Sequence, residues 1–305
     1  MTEETMQGEQ AVKRQIKVDP KELSMKIVFI IAAVVFIAAV VIICVFIFVQ
    51  AFPALREIGL LNFLFSSEWN PDINDTGHGE YGIAAMIVGS CYITAGALIV
   101  GVPIGFLTAI FMARYCPKPL YKVMKPMTNI LAGIPSIVYG YFGVRVIVPF
   151  IRDNFGGYGF SILSASIVLG IMILPTIISV SENAIRAVPK SYYEGAVALG
   201  ATKERAILRT EVPAAKSGIV TSIILGLGRV IGETMAVVML CGNQVQFPDS
   251  LLDGVRTMTA NIVLELGYTS YGSVHRGALI ATAAVLFVFI LIITLLVSLI
   301  RKKAK

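Results

Sequence analysis

Charge is scarce in this 305-residue chain. Only 14% of its residues are Asp, Glu, Lys or Arg, while 56% are hydrophobic, and soluble domains carry about 25% charged residues. With a mean hydropathy of +0.81, that excludes an ordinary soluble domain and a disordered tail alike. Histidine is nearly absent, with His78 and His275 alone and no HExxH. Two isolated histidines cannot make a three-His metal site. Cys44, Cys91, Cys116 and Cys241 form no CxxC, so neither a zinc ribbon nor a disulfide framework is supported. They read as small apolar residues. Strand-length alternation is missing, which argues against an outer-membrane barrel. There is also no GxxxxGK[ST], so no phosphate-cradling loop belongs to this chain.

What the chain has is long apolar runs. A spanning helix needs about 20 mostly apolar residues, and six stretches qualify: Ile27–Val49, Ile83–Ala113, Met127–Ile151, Ser161–Ser181, Ser217–Cys241 and Ala278–Ile300. The expected fold is an all-α integral membrane protein with six transmembrane helices. The first run exceeds the 7–15 residues usual for the apolar core of a cleaved signal peptide and reads as an uncleaved anchor.

The net charge of +6 would hint at nucleic acid on a soluble chain, but here its placement matters more. Lys and Arg crowd into 1–26, 114–126, 182–216 and 301–305, leaving only Arg56, Arg152, Arg256 and Arg276 in the intervening loops. The positive-inside rule then puts both termini in the cytoplasm. The bilayer is the expected partner and nucleic acid is not. The expected organisation is a cytoplasmic extension 1–26, an anchor helix 27–50, an extracytoplasmic loop 51–82, a core 83–300 and a tail 301–305. Within the outer loop lie Trp69, Asp72, Asp75 and the turn Thr76-Gly77-His78-Gly79.

Inside the core, the cytoplasmic loop 182–216 is unusually long and looks folded. Pro189 suits a helix start, and Gly200 a helix end. Thr202 can cap a second helix, Lys203–Glu211, after which Pro213 begins the approach to the next span. Two short helices do not hold themselves together in water. Their apolar positions Ala196, Leu199, Ile207 and Leu208 must pack on their own spans, on another chain, or both.

Arg229 and Glu233 are charged residues inside an apolar run, four apart and so expected on one helical face. Intramembrane charge is costly. The two either pair to fix helix rotation, or line a path for an anion. Gly133 and Pro135 loosen the third span, and Ser136 can bond a freed carbonyl or a substrate. Arg145, near the outer end of that span, either snorkels to the interface or receives anions from outside. Tyr268, Tyr271, His275 and Arg276 suit an outer protein contact, or interfacial anchoring of the last span.

Glu194-Gly195-Ala196, then Gly200, then Val212-Pro213 resembles, in register, the cytoplasmic loop of ABC-importer permeases. Gly195, Thr210 and Val212 depart mildly from that pattern. Gly228-Arg229-Val230-Ile231-Gly232-Glu233-Thr234-Met235-Ala236-Val237 is similar to the phosphate permeases of the PstC family. So is Thr257-Met258-Thr259-Ala260-Asn261-Ile262-Val263, while Gly133-Ile134-Pro135-Ser136-Ile137-Val138-Tyr139-Gly140 resembles the PstC and PstA phosphate permeases alike. The resemblance implies a type I ABC importer permease fold in a bacterial-type inner membrane. It implies a PstA-like permease as heterodimer partner, two copies of a PstB-like ATPase and an extracytoplasmic phosphate-binding protein. ATP and Mg would sit on the ATPase, and this chain would carry no cofactor and no enzymatic activity of its own. Arg229, Glu233, Ser136 and Arg145 would serve the substrate pathway. Glu194, Gly195, Ala196, Gly200 and Pro213 would serve coupling to the ATPase. The alternatives are an importer of another oxyanion, an ATP-independent anion carrier and a membrane-embedded enzyme. The last is poorly served by one Arg–Glu pair with no nucleophile-and-base set beside it.

Overall fold

The computed structural model describes residues 20–71 and 79–303. Most of the extension 1–26, the turn at 76–78 with Asp72 and Asp75, and the last two residues of the tail lie outside the described residues. The chain divides into two units, Met1–Val49 and Gln50–Lys305.

In chain order the helices are α1 Pro20–Ile58, α2 Leu60–Phe65, α3 Ala84–Ile110, α4 Lys118–Gly133, α5 Ser136–Phe142, α6 Val148–Phe155 and α7 Ile162–Arg186. They continue as α8 Lys190–Ala198, α9 Lys203–Ala206, α10 Val212–Ala214, α11 Lys216–Ile231, α12 Met235–Leu240, α13 Met258–Glu265 and α14 Val274–Lys303. Wide π-helical turns extend α3 to Tyr115, join α5 to α6 and join α9 to α10. A two-stranded antiparallel ribbon, β1 Trp69–Asn70 with β2 Glu80–Tyr81, folds part of the outer loop.

Among the described residues four helices are long and apolar enough to cross a membrane, and up to six spans result when each of two bent pairs counts as one. The expected third span is not a straight rod. Lys118–Gly133 and Ser136–Phe155 meet at 97°, because Pro135 offers no N–H and drives Ile134 into an extended conformation (φ −68°, ψ 128°). The expected fifth span is also interrupted: α11 stops at Ile231 and α12 begins at Met235. On the cytoplasmic side, Lys203–Ala214 meets α11 at 67°. Pro175, by contrast, is buried within a continuous α7.

The core is the pair α3 and α7, joined along a seam of small residues. A Cβ at Gly101 would lie 2.7 Å from Ile173 Cδ1 and 2.8 Å from the Gly170 carbonyl oxygen, and one at Gly105 2.9 Å from Ile177 Cγ2. A Cβ at Gly96 would collide with Ser166. In lipid no hydrophobic force joins helices, so such close approach supplies the packing. Gly101→Val should therefore cost about 1–3 kcal/mol by overpacking. A lower unfolding temperature of the detergent-solubilised chain would register it, and an unchanged one would contradict the seam.

Candidate translocation and coupling sites

The two interruptions meet. A Cβ at Gly140 would lie 3.1 Å from Ala236 Cα, so α5 and α12 pack backbone to backbone just beyond the breaks. Gly143 is as tight, where a Cβ would lie 2.7 Å from Leu240 and 2.8 Å from Val168. The Tyr139 hydroxyl donates to Leu131 O at 2.8 Å, across the Pro135 break. That carbonyl role, expected of Ser136, falls to Tyr139. Ser136 itself is half-buried in the first turn of α5.

Arg229 and Glu233 do not share a helix face. Helix α11 ends between them, and Gly232 is its cap. No Arg229–Glu233 ion pair forms among the described residues. Glu233 instead accepts a hydrogen bond from Ala236 N at 3.3 Å, capping α12, while its own carbonyl takes the Thr259 hydroxyl at 3.0 Å. The four-residue spacing misled because Gly232 breaks the helix it presupposed. Arg229 is half-buried in the last turn of α11. It has no hydrogen-bond or ion-pair partner among the described residues, and interacts electrostatically with Tyr139. A Cβ at the neighbouring Gly228 would meet nothing within 4 Å, so space opens beside it.

Arg145 is exposed on the π-helical turn Gly143–Ile147, with its guanidinium 5.9 Å from the Tyr141 ring.

Of the expected loop 182–216, residues 182–186 complete α7 and Lys216 begins α11, and the segment between folds as helix–glycine–helix. Gly200 takes φ +85°, Ala201 N donates back to Ala196 O and Gly200 N to Val197 O, the paired bonds that end a helix in a left-handed residue. Thr202 caps α9 through Arg205 N. Helical structure then continues past Glu211 and through Pro213 to Ala214. One face is anchored: Ile207 is buried with Ile110, Ile185, Ala215 and Ile219. The other face is bare. Glu194, Gly195 and Gly200 are exposed, Leu199 is 92% exposed, and a Cβ at either glycine would meet nothing within 4 Å. Ala196 is half-buried and Pro213 is exposed.

On the outer side, Glu265 ties the loops together. It accepts from Trp69 Nε1 at 2.8 Å and Arg256 Nη1 at 2.6 Å, and lies 2.9 Å from His275 Nε2. His275 is therefore a buried loop-binding residue, which removes it from an outer protein contact and leaves the other expectation, anchoring at the end of the last span. Tyr268 and Tyr271 are exposed, and Arg276 stacks on Tyr271 at 4.0 Å. On the β1–β2 ribbon side, a hydrogen bond with Glu68 raises the Glu80 carboxyl above its ordinary value.

A family model, the binding-protein-dependent transport system inner membrane component, matches residues 101–305. The chain belongs to this family. A probable ABC transporter permease protein of Bacillus subtilis, YqgH, is 38% identical over 284 residues, 91% of each chain. The phosphate transport system permease protein PstC of Mesorhizobium japonicum is 32% identical over 282 residues, 86% of this chain and 84% of that one. The PstC protein of Haemophilus influenzae is 34% identical over 256 residues, 77% and 79% respectively. Among solved structures, a bacterial ABC transporter involved in the import of the acidic polysaccharide alginate superposes with a TM-score of 0.62 at 17% identity. That match covers 94% of this chain and 97% of that chain, and it shows the shared fold.

This permease is a multi-pass inner-membrane protein with the type I ABC importer fold, a subunit of a binding-protein-dependent importer. The family works with an ATPase and a substrate-binding protein.

Sequence reasoning passed over Glu182, Glu211, Arg114 and Arg186, which are joined at the inner ends of the helices. A carboxylate at the edge of an apolar run with an arginine four residues on, as in Glu182 and Arg186, was the available signal.

Proposed function

We propose that this permease carries phosphate across the inner membrane, and that Arg229 is the cation that meets it. The observation behind this reading is an arginine with no ion-pair partner among the described residues, at a helix break within an apolar span. Intramembrane ionisable groups mark substrate pathways, and broken helices do the same in transporters. A guanidinium offers a planar fork of N–H groups matched to a tetrahedral oxyanion. The choice of phosphate among oxyanions follows the relatives named as phosphate permeases.

Glu233 holds the break in shape and Ser136 stands at the facing one, while Arg145 serves as an outer receiving charge. A PstA-like permease completes the path as a heterodimer, with both termini of this chain in the cytoplasm. Two copies of a PstB-like ATPase, carrying ATP and Mg, dock on the bare face around Glu194, Gly195, Ala196 and Gly200, with Pro213 in the helical segment that follows. An extracytoplasmic phosphate-binding protein delivers the substrate. Rigid-body closure of the ATPases shifts the loop 182–216 and opens the path outward, and hydrolysis resets it.

The test is uptake of labelled phosphate into liposomes holding the full complex, with ATP inside and the binding protein outside. Phosphate accumulation that resists excess sulfate and molybdate is expected. Preferential uptake of sulfate or molybdate would overturn the substrate assignment.

A further inference from the structure

Away from the translocation site, two carboxylates are buried at the inner ends of the helices. Glu182 and Glu211 are 0% and 1% exposed. Glu182 is well served, accepting from Tyr121 Oη at 2.7 Å, Lys125 Nζ at 2.7 Å and Arg186 Nε at 2.8 Å. Glu211 is only half engaged. Its Oε1 meets Arg114 Nη2 at 2.8 Å, while its Oε2 and the buried Arg114 Nε have no hydrogen-bond partner among the described residues.

The arginines strap α3 and α7 reciprocally. Arg114, on the turn that ends α3, donates to Ile185 O at 2.9 Å, and Arg186, at the end of α7, donates to Met112 O at 2.8 Å. Cations there complement the carbonyl ends of both helices. Glu211 belongs to neither helix. It lies on the π-helical turn Ile207–Glu211, the continuation of α9.

We propose that Arg114 and Glu211 are the positioning pair through which movement of the loop 182–216 reaches α3 and α7. This rests on ATPase docking around Glu194–Gly200. Separating a buried pair strands an uncompensated charge, so the two attachment points move together. The side-on fork of a guanidinium, Nε with Nη2, fits both oxygens of one carboxylate. The two unused atoms, Nε and Oε2, are the ones a second bond would join, so the pair has room to tighten from one bond to two.

The experiment measures substrate transported per ATP hydrolysed by the full complex in liposomes, beside the amount of ATPase that co-purifies. Two variants are made: Glu211→Gln, and the double replacement Arg114→Met with Glu211→Met, which leaves neither charge of this pair behind. Both should retain the ATPase and lose about tenfold in transport per ATP, an ordinary coupling free energy between sites. A wild-type ratio in either assembled variant would overturn the proposal. So would loss of the ATPase from both, which would make the pair part of the docking surface. Failure of the unmodified chain to retain an ATPase would instead sink the docking reading.

Discussion

Arg229→Gln should stop uptake by the reconstituted importer while leaving its subunits assembled. Glutamine keeps hydrogen-bonding capacity and much of the length but removes the charge. Truncating one partner of a desolvated, hydrogen-bonded charge pair costs about 2–5 kcal/mol. At about 1.4 kcal/mol per decade, the smaller figure is already a ~30-fold loss. Assembly should survive because Arg229 has no hydrogen-bond or ion-pair partner among the described residues to abandon. Glu233→Gln should be much milder, since its bond to Ala236 N and the backbone bond to Thr259 can both be kept. Uptake rates for the two variants, measured side by side, decide the matter. Equal and severe losses would mean that the two charges act as a unit in transport, against the separate roles drawn from the helix break.

The second large effect belongs to Gly200→Asp. At φ +85° most side chains are strained, but aspartate is among the few that tolerate this region. A Cβ there meets nothing in the chain itself. The isolated variant should therefore stay folded, with an unfolding temperature only slightly below wild type from the strain at this φ. In the complex, the added carboxylate falls on the bare face proposed to take the ATPase. Loss of the ATPase from the purified complex and uptake at background level are expected, and Glu194→Lys should act the same way. Full coupling in Gly200→Asp would remove the docking assignment, because the chain's own stability could not then explain the tolerance.

Much of this architecture is written in the chain at short range. Apolar runs mark spans because lipid demands them, and Gly200 with Thr202 marks a helix boundary because backbone conformation and capping are local chemistry. The breaks were only half legible. Gly133 and Pro135 signal loosening, but a 97° bend depends on how Gly140 and Gly143 let α5 settle on α12 and α7. The Arg229–Glu233 spacing is informative only if the helix continues, and Gly232 with the Thr259 bond decides that it does not. Glu182 and Glu211 were illegible for another reason. Most of their partners lie far away in sequence, Lys125 57 residues from Glu182, so the Arg186 spacing is the one nearby sign for Glu182 and Glu211 has none. His275 stayed open between an outer contact and anchoring because the Glu265 and Trp69 that enclose it come from other segments.

The arrangement around Glu265 has an optical consequence. Trp69, the chain's one tryptophan, is 9% exposed, with its indole N–H bonded to that carboxylate and Tyr81 edge-on at 5.6 Å. The tryptophan emission of the isolated subunit therefore arises from a single buried indole bonded to a carboxylate. Its wavelength reads the state of the extracytoplasmic loops alone, undiluted by the membrane-embedded helices.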